Sequence, residues 1–384
     1  MWLFRSGFVV LFYIIINTYT GIRTYKLVKF FLPSLKALVF WPIYILLCYC
    51  FLIFSLTGLS RILFLRQAAM NMLPVFFYFF FILLFFDVLR LIFKHLKIIR
   101  SSPKNTAAST GISLILAVLL FVFGNFHARN IKTIPYDVTI AKNAGIPLRI
   151  ALVTDLHLGM SVDRRWTAHI VDAVNKAKPD LICIAGDIFD GDISTIKDLP
   201  GIAKELVRLS APLGVYASQG NHDVDRRSGR DNSGTDRIKE FLESTGIKFL
   251  LDEVELIEGR FYLVGRRDGR PIGSSRRRLP AGELLEGLDK TKPLIIMDHQ
   301  PADYLALEES GADLILSGHT HGGQIFPGSL ITATMYRNYG AQHYGYFKGR
   351  TVQGIISSGA GVWGPAIRMG TNSEVAVINI EFVN

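Results

Sequence analysis

The N-terminal third of the chain almost lacks acidic residues. Up to residue 134 there are fourteen lysines and arginines and one acid, Asp87, in a chain whose formal net charge is +10. The remainder holds 28 basic and 31 acidic side chains, so the high pI of about 9.4 comes from the N-terminal part. The rest of the chain is therefore not a basic nucleic-acid-binding domain, and we predict no nucleic-acid partner.

Cysteine is also scarce, with three in 384 residues. Cys48 and Cys50 lie in an apolar run and Cys183 in a predicted strand, so the spacing of a disulfide framework or a zinc finger is missing. We expect these residues to behave as small apolar side chains. We also find no internal repeat and no low-complexity tract.

Apolar residues, in contrast, are concentrated in four stretches, at 7–19, 38–59, 72–93 and 111–126. A helix needs roughly 20 mainly apolar residues to cross a bilayer. The second and third stretches reach that length, whereas the first and fourth are short. Residues 74–86 have no polar face, which favours a membrane span over a buried core helix. We predict an α-helical, multi-span transmembrane anchor over residues 1–134, with about four spans and an uncleaved first span.

Basic residues between the predicted spans indicate an orientation. Nine lie in the loops that follow spans one and three, and five lie on the opposite side. Because loops rich in lysine and arginine stay in the cytoplasm, we expect both termini to face outward. The C-terminal domain is therefore predicted to be extracytoplasmic.

The pattern of apolar and polar residues changes after the last apolar stretch. Residues 135–147, which include Pro135 and Pro147, are predicted to be a linker. From residue 148 onward, short β-branched apolar runs alternate with segments of helical spacing, which predicts an α/β fold with more than one sheet over residues 148–384. The predicted strands are 148–153, 181–185, 215–218, 294–297, 314–317, 351–357 and 374–382, and the predicted helices are 167–178 and 202–209.

Short polar clusters follow five of these strands, and five of the nine histidines fall in them. In open α/β sheets ligands bind beyond the carboxyl ends of strands, so we expect the clusters to meet at one edge of the sheet. Carboxylate, imidazole and amide groups together suit divalent metals such as manganese, iron or zinc. The clusters are Asp155-Leu156-His157, Gly186-Asp187-Ile188-Phe189-Asp190, Gly220-Asn221-His222-Asp223, His299 and Gly318-His319-Thr320-His321.

These clusters resemble the motifs of the calcineurin-like metallophosphoesterase superfamily, which are D-x-H, G-D, G-N-H-D/E, a lone H and G-H-x-H in this order. The resemblance covers residue 148 to the C terminus, and segments 318–324 and 361–374 are similar to the bacterial membrane-anchored branch. It implies a β-sandwich flanked by helices and a metal-dependent phosphohydrolase.

The resemblance also implies a pair of divalent metal ions, which can clamp the attacking and leaving oxygens of an in-line displacement. Manganese is the predicted metal, and iron, zinc and magnesium are the alternatives. Three residues would hold the first ion, three the second, and one would bridge both. In that order they are Asp155, His157 and His321; Asn221, His299 and His319; and Asp187.

Two catalytic residues follow from the same resemblance. His222 matches the position that protonates the leaving oxygen or stabilises phosphoryl charge, and Asp190 matches the carboxylate that orients this imidazole. Gly191 replaces the arginine that follows this carboxylate in protein Ser/Thr phosphatases, which argues against a phosphoprotein substrate. Asp298, beside His299, is either a supporting acid or an exposed turn residue.

We therefore predict a membrane-anchored two-metal phosphohydrolase that cleaves a phosphoester or pyrophosphate bond of a lipid or lipid-linked substrate. The expected partners are the lipid bilayer and a phosphorylated lipid. The expected location is a bacterial inner membrane, with the catalytic domain in the periplasm. The basic stretch 260–278 is either a contact for anionic headgroups or a solvated loop.

Two alternatives remain open at this point. One is a pyrophosphatase that resembles the UDP-2,3-diacylglucosamine hydrolases of lipid A synthesis, which act on the cytoplasmic face. The other belongs to a different class, a catalytically dead membrane receptor or scaffold, although every expected ligand is present. The oligomeric state is not predicted.

Overall fold

Long helices form the first part of the chain. They are α1 (Trp2–Phe31), α2 (Ala37–Leu56), α3 (Leu63–His95) and α4 (Pro103–Ala128). The computed structural model describes residues 2–56, 63–98, 102–191, 193–223, 233–269, 278–338 and 341–383. The chain divides into two units, Met1–Gly124 and Asn125–Asn384, so the last four residues of α4 belong to the second.

Two of these helices are long and apolar enough to cross a bilayer, counted over the described residues. They are the segment Gln67–His95 of α3 and the whole of α4, Pro103–Ala128. The comparable segment of α2, Ala37–Tyr49, is shorter. The structure therefore supports two candidate spans where the sequence predicted about four. The helix that contains the fourth apolar stretch, α4, is longer than the stretch itself because it begins at Pro103 and includes the small and polar residues before Gly111.

Arg23, one of the nine basic residues counted in the loops that follow predicted spans one and three, lies inside α1 and is 5% exposed. Its guanidinium Nη1 donates to both carboxylate oxygens of Asp87, at 2.7 Å each, and Nε donates to Thr110 Oγ1 at 3.2 Å. The Tyr19 hydroxyl donates to Asp87 Oδ2 at 2.6 Å. A count of basic residues in loops cannot detect this arrangement. The charge of Arg23 is accommodated inside α1 only because it pairs with a residue of another helix.

Twelve strands and six helices make up the described part of the second unit. The strands are β1 (Lys132–Ile140), β2 (Leu148–Val153), β3 (Leu181–Ala185), β4 (Val215–Ser218), β5 (Ile247–Leu250), β6 (Glu253–Ile257), β7 (Phe261–Gly265), β8 (Leu294–Met297), β9 (Leu314–Ser317), β10 (Gly345–Lys348), β11 (Gln353–Ile356) and β12 (Glu374–Phe382). The helices are α5 (Arg164–Lys176), α6 (Leu199–Leu206), α7 (Ser233–Ser244), α8 (Ala281–Leu284), α9 (Tyr304–Glu309) and α10 (Gly328–Asn338).

The strands form two six-stranded mixed sheets, ordered β1-β12-β2-β3-β4-β5 and β10-β11-β9-β8-β7-β6. In the first sheet only the β12–β2 pair is antiparallel, and in the second the antiparallel pairs are β10–β11 and β6–β7. Strands β2, β3 and β4 are parallel neighbours, as are β8 and β9. Their carboxyl ends therefore lie side by side within each sheet.

Alternate residues of the strands face opposite layers. Ile150 of β2 and Ile295 of β8 lie in the core between the sheets, whereas Ala151 packs in the layer that contains α5. Ile296 packs in the layer of α8 and α9 with Leu307. Apolar side chains on both faces of each sheet produce four layers, helix–sheet–sheet–helix. The predicted α/β fold, a β-sandwich flanked by helices, is confirmed.

The predicted linker 135–147 differs in the structure. Its first part belongs to β1, the edge strand of the first sheet, which pairs with β12 so that Pro135 lies opposite Val377. Proline lacks an N–H and is tolerated on an edge strand, so a residue that reads as a strand breaker can lie within β1. The predicted strands at 148–153, 181–185, 215–218, 294–297, 314–317 and 374–382 have the bounds expected.

Candidate active site and metal centre

Five loops bring the sequence-predicted clusters together. Those after β2, β3 and β4 belong to the first sheet, and those after β8 and β9 belong to the second. The sequence analysis expected one sheet edge, whereas both sheets contribute. The site lies where two sets of parallel strands end, because the sandwich places their carboxyl ends at the same end of the fold.

A first group of potential ligands comprises Asp155, His157 and His321, all buried. His157 Nε2 lies 3.1 Å from His321 Nε2, which is 3.3 Å from Asp155 Oδ1. Atoms that bind one ion at 2.0–2.2 Å are themselves separated by about 3.0–3.5 Å. The third separation, from His157 Nε2 to Asp155 Oδ1, is 4.0 Å, so two of the three distances have the spacing of a metal site.

A second group comprises Asp187, His299 and His319. Asp187 Oδ2 lies 3.1 Å from His299 Nε2 and 3.6 Å from His157 Nε2, so one carboxylate oxygen faces both groups. The other oxygen, Oδ1, accepts a hydrogen bond from the backbone N–H of His222 at 2.8 Å. Asp187 thus has the position expected of a bridging ligand.

The chemistry of this donor set fits divalent cations. His299 Nδ1 lies 2.9 Å from the Ala185 carbonyl oxygen, an arrangement that puts the proton on Nδ1 and leaves Nε2 as a lone-pair donor. Asn221 is buried, and its side-chain Oδ1 has no hydrogen-bond partner among the residues described. A buried amide oxygen without a donor is costly in free energy unless another group, such as a cation, satisfies it.

A third group joins the metal centre to the predicted catalytic pair. His222 Nδ1 lies 3.5 Å from Asp190 Oδ1, and His157 Nδ1 lies 3.8 Å from the same oxygen. The His222 side chain is 11% exposed, whereas that of His157 is 1% exposed. His222 therefore stands at the open side of the centre, with Asp190 between it and a ligand.

Comparison with known proteins assigns the chain to a family. A sequence profile for calcineurin-like phosphoesterases matches residues 148–323. An uncharacterized metallophosphoesterase of Bacillus subtilis is 31% identical over 284 residues, which are 69% of this chain and 97% of that protein. The chain belongs to the calcineurin-like phosphoesterase family. The predicted family and the predicted class, a metal-dependent phosphoesterase, are confirmed.

Other members of the calcineurin-like phosphoesterase family match the chain over part of their length. An uncharacterized metallophosphoesterase of Campylobacter jejuni is 28% identical over 278 residues, 70% of this chain and 69% of that protein. A Danio rerio protein, named transmembrane protein with metallophosphoesterase domain, is 28% identical over 285 residues, 70% of this chain and 62% of that protein. The chain thus spans about two thirds of the length of these two relatives.

The backbone of this phosphoesterase site is strained at the predicted ligands. Non-glycine residues rarely adopt positive φ angles, which persist where the surrounding structure imposes them and cluster at functional sites. Five of the predicted ligands have φ between 44° and 72°. They are Asp155, His157, Asp187, His319 and His321.

Glycines in the motifs allow the loops to approach one another closely. A Cβ on Gly186 would lie 2.6 Å from Cγ of the His299 ring, and one on Gly359 would lie 2.7 Å from Cβ of Asp155. Side chains at Gly220 and Gly318 would collide with Asp187 and Asp155. The glycines of the family motifs are therefore needed because ligand side chains occupy the space beside them.

Burial keeps two of the imidazoles neutral. It holds the pKa of His321 well below its usual range, and the neighbouring His157 and Arg368 act in the same direction. The pKa of His319 is lowered to about 4 by burial and by the charge of His299. Neutral imidazole is the form that binds a metal, so these two ligands are ready at neutral pH.

At His299 and His157 the neighbouring carboxylates outweigh burial and raise the pKa of the imidazole. Burial opposes the charged form of His299, but the nearby Asp187 carboxylate raises its pKa well above the usual value. Burial would raise the pKa of Asp187, yet the charge of His299 keeps it low. Burial also opposes the charged form of His157, but its contact with Asp190 raises its pKa. A cation that enters the site would replace these protons, so metal binding should release them.

Asp223 was not identified as a functional residue from the sequence. It is buried, and its Oδ1 accepts hydrogen bonds from the backbone N–H groups of Ile188 and Phe189 at 2.9 Å each, while Oδ2 accepts one from Gly220 at 2.8 Å. Burial and the charge of Asp187 raise its pKa to about 7. Asp223 therefore joins the loops after β3 and β4, and its position in the G-N-H-D motif was the signal for this role.

Arg368 was also missed. It is fully buried, and its Nη2 donates to the carbonyl oxygens of Ser358 at 2.6 Å and Gly361 at 2.8 Å, while Nη1 donates to that of His321 at 3.2 Å. Burial lowers its pKa to about 10. Arg368 ties the loop after β11 to the ligand His321, a role that its position 47 residues away in the sequence concealed.

The structure decides between the two interpretations of Asp298. This residue is 2% exposed, and its Oδ2 accepts from Arg266 Nη1 at 2.7 Å while Oδ1 accepts from Arg278 Nη1 at 3.0 Å. Both arginines also reach Asp303 at 3.0 Å. Asp298 is thus a supporting acid beside His299. Arg266 and Arg278 of the basic stretch serve internal ion pairs, and residues 270–277 lie outside those described.

Proposed function

We propose that this chain is a membrane-anchored phosphohydrolase that uses two divalent metal ions to cleave a phosphoester or pyrophosphate bond of a lipid or lipid-linked substrate. The observation that carries this proposal is the position of Asp187 Oδ2, which faces a histidine of each ligand group. A single carboxylate shared between two ligand groups suits a binuclear centre. Manganese remains the preferred metal, with iron, zinc or magnesium as alternatives.

The ligand groups indicate which residues would hold each ion. One ion would bind Asp155, His157, His321 and the shared Asp187, and the other would bind Asn221, His299, His319 and Asp187. Bound metals of this kind polarise phosphoryl oxygens and lower the pKa of water.

The chain's own contribution to the reaction is the pair His222 and Asp190. Hydrogen bonds with His157 and His222 outweigh the effect of burial and keep the pKa of Asp190 low, so this carboxylate is ionised at neutral pH. It faces His222 Nδ1, which leaves Nε2 available to the substrate. As the bond between phosphorus and the leaving oxygen breaks, His222 Nε2 gives its proton to that oxygen. Water forms the new phosphorus–oxygen bond and releases a proton to the solvent, from which His222 is protonated again.

Apolar helices motivate the anchor and the substrate class. Two helices in the described residues are long and apolar enough to span a bilayer, and a relative from Danio rerio is named a transmembrane protein. A tethered active site meets molecules at the bilayer surface. In the sequence, Lys94, Lys97, Arg100 and Lys104 lie at the facing ends of these two helices or between them. Because basic segments stay in the cytoplasm, they favour an inner-membrane, multi-pass protein with a periplasmic catalytic unit.

Phosphate and headgroup release by the detergent-purified protein tests this function. The panel contains lipid phosphates, lipid pyrophosphates, UDP-2,3-diacylglucosamine and a soluble aryl phosphodiester, each with Mn²⁺ and with a chelator. Metal-dependent release from a lipid substrate is the expected result. Turnover of UDP-2,3-diacylglucosamine alone would favour the lipid A enzyme instead. No turnover together with metal-independent partner binding would favour a catalytically dead receptor.

A further inference from the structure

The described residues 324–338 and 341–343 lie between the metal-binding motif and β10, and both ends of this excursion contact the motif. At its start the Gly322–Gly323 turn packs against α10, since a Cβ on Gly323 would collide with the backbone of Ser329. At its end the Thr320 hydroxyl, between two ligand histidines, donates to the His343 carbonyl oxygen at 2.5 Å. Both ends of the excursion are therefore anchored on the segment that carries His319 and His321.

The helix of this excursion, α10, exposes its apolar side chains. Leu330 is 59% exposed, Ile331 60% and Met335 52%, and the spacing of these residues places them on one face. The small or polar Thr332 and Ala333 lie on the less exposed side. None of the residues of α10 is buried. A surface helix of a soluble protein normally turns its apolar side chains toward the core. Helix α10 does the opposite, because its apolar side chains are the more exposed ones.

A second exposed apolar side chain is locked to the start of this excursion. Trp363 is 56% exposed, and its ring centroid lies 6.2 Å from that of His222. Its backbone N–H donates to Gln324 Oε1 at 2.9 Å, and Gln324 Nε2 donates to its carbonyl oxygen at 2.9 Å. An indole thus stands beside the predicted proton donor, and its backbone is fixed to the residue from which α10 departs.

The start of the second unit, which continues from a candidate membrane span in the sequence, favours a bilayer as the partner of the exposed face of α10. Within that unit, at the end of the candidate span α4, the Asn125 side-chain Nδ2 donates to the Ala366 carbonyl oxygen at 2.6 Å. His127 Nε2 lies 3.0 Å from the Thr371 carbonyl oxygen. The first residues of the second unit, which are the last residues of an apolar helix, therefore contact the segment 366–371 just after Trp363.

The charge of the excursion is also suitable for a lipid surface. Residues 324–343 contain no acidic residue, and Arg337, in the last turn of α10, is exposed. Helices with an exposed apolar face and basic flanks lie in the interfacial layer of bilayers, and tryptophan favours the same layer.

We propose that the face of α10 formed by Leu330, Ile331 and Met335 inserts into the interfacial layer of the bilayer, with Trp363 beside it, and so presents lipid-borne phosphate groups to the metal centre. This inference deepens the proposed function and rests on its lipid substrate. It assigns to α10 a role in substrate delivery and none in bond cleavage.

A comparison of two substrates tests the role of α10 in turnover. Full-length protein in nanodiscs of phosphatidylcholine and phosphatidylglycerol is assayed on phosphatidic acid in the same discs and on a soluble aryl phosphodiester. The combined variant Leu330→Gln, Ile331→Gln and Met335→Gln should lose at least about tenfold in kcat/KM on the lipid and less than about twofold on the soluble ester. The control combines Val207→Gln, Leu256→Gln and Leu305→Gln, which are exposed apolar residues of other elements and should change neither rate. Equal losses on both substrates, or none on the lipid, would overturn the proposal.

A fluorescence measurement separates failure of the docking from failure of the proposed function. A bimane probe is attached to Met335→Cys in a variant without native cysteines, and brominated lipids are introduced into the nanodiscs. Quenching at position 335, but not for a probe at Val207→Cys, supports insertion even if phosphatidic acid is not a substrate. Absence of quenching contradicts it. Light scattering measures the oligomeric state of the same sample. If the probe is shielded from solvent only when the protein is a dimer, this face binds a second copy of the chain, and the proposed insertion into the bilayer is contradicted.

Discussion

The two units of the chain each bury charged residues, but they satisfy them differently. In the first unit all three guanidinium nitrogens of Arg23 donate hydrogen bonds, and the Asp87 carboxylate accepts from both Arg23 and Tyr19. In the second unit Asn221 Oδ1 is without a hydrogen-bond partner among the described residues. Histidine nitrogens and carboxylate oxygens that could each bind a metal lie within 4.8 Å of one another there. Both are polar clusters, and only one is complete by itself.

This difference separates structural from functional burial of charge. A buried network whose donors and acceptors match needs no further group and holds its helices together. A buried network with unmatched acceptors, converging nitrogen atoms and strained backbone is completed by a ligand, here a cation. Changes in the ligand cluster of the second unit should therefore abolish chemistry, and changes in the Arg23–Asp87 network of the first unit should affect stability alone.

The largest effect is expected from Asp187→Asn. Loss of the shared carboxylate removes a ligand from both groups, so kcat/KM on a soluble aryl phosphodiester should fall by at least about a thousandfold. Metal content measured by mass spectrometry should fall with it, while the circular dichroism spectrum is unchanged. The control is Asp180→Asn. The Asp180 carboxylate lies outside the ligand groups and accepts a hydrogen bond from the backbone N–H of Arg149. Retention of both metals and full turnover in Asp187→Asn would show that this carboxylate does not bridge.

His222→Ala should lower kcat by about 10²–10⁴-fold on an alkyl phosphoester, because the leaving oxygen loses its proton donor. The loss should be much smaller on a nitrophenyl ester, whose leaving group needs no proton. Metal content should be unchanged, since His222 lies in the group with Asp190 rather than among the ligand sets. Equal losses on both esters would point to stabilisation of phosphoryl charge instead.

Arg368→Lys should weaken metal binding by about 10–100-fold. Lysine keeps the charge, but it cannot reach the carbonyl oxygens on both sides of the guanidinium, so the backbone of His321 loses its support. Titration of the apo protein with Mn²⁺, followed by calorimetry, measures this affinity. Saturating Mn²⁺ should restore most of kcat. A loss of kcat that Mn²⁺ cannot restore would contradict a purely positioning role.

The smallest effect on chemistry is expected in the first unit. Asp87→Asn breaks the ion pair with Arg23 and should destabilise that unit by about 3–5 kcal/mol, while kcat/KM on the soluble ester stays within about twofold. The double variant Arg23→Met, Asp87→Leu should recover most of the stability, because the two buried partners are removed together and Arg90, which also lies 3.4 Å from Asp87, keeps its hydrogen bond to Thr106. Unfolding in detergent, followed by circular dichroism, reports the change. A loss of turnover as large as that of a ligand variant would remove the distinction between the two networks.

Prediction from the sequence succeeded where the signal is local. Strands such as Leu148–Val153 and Leu314–Ser317 are short apolar runs that end at polar motifs, and their bounds were predicted correctly. Strand β1 was missed because Pro135 indicates a break unless the strand is known to lie at a sheet edge. Helix α10 was missed because its apolar residues face outward, which is opposite to the usual pattern.

The sequence by itself determined the family, the order of the strands that carry ligands, and the residue types at the metal centre, since each of these depends on neighbours along the chain. The tertiary structure alone decided that both sheets build the site, that Asp223, Arg368 and Asp298 support it, and that Arg23 is paired inside the helices. These facts depend on contacts between residues far apart in sequence. No periodicity or composition encodes such contacts, because they exist only once the layers have packed.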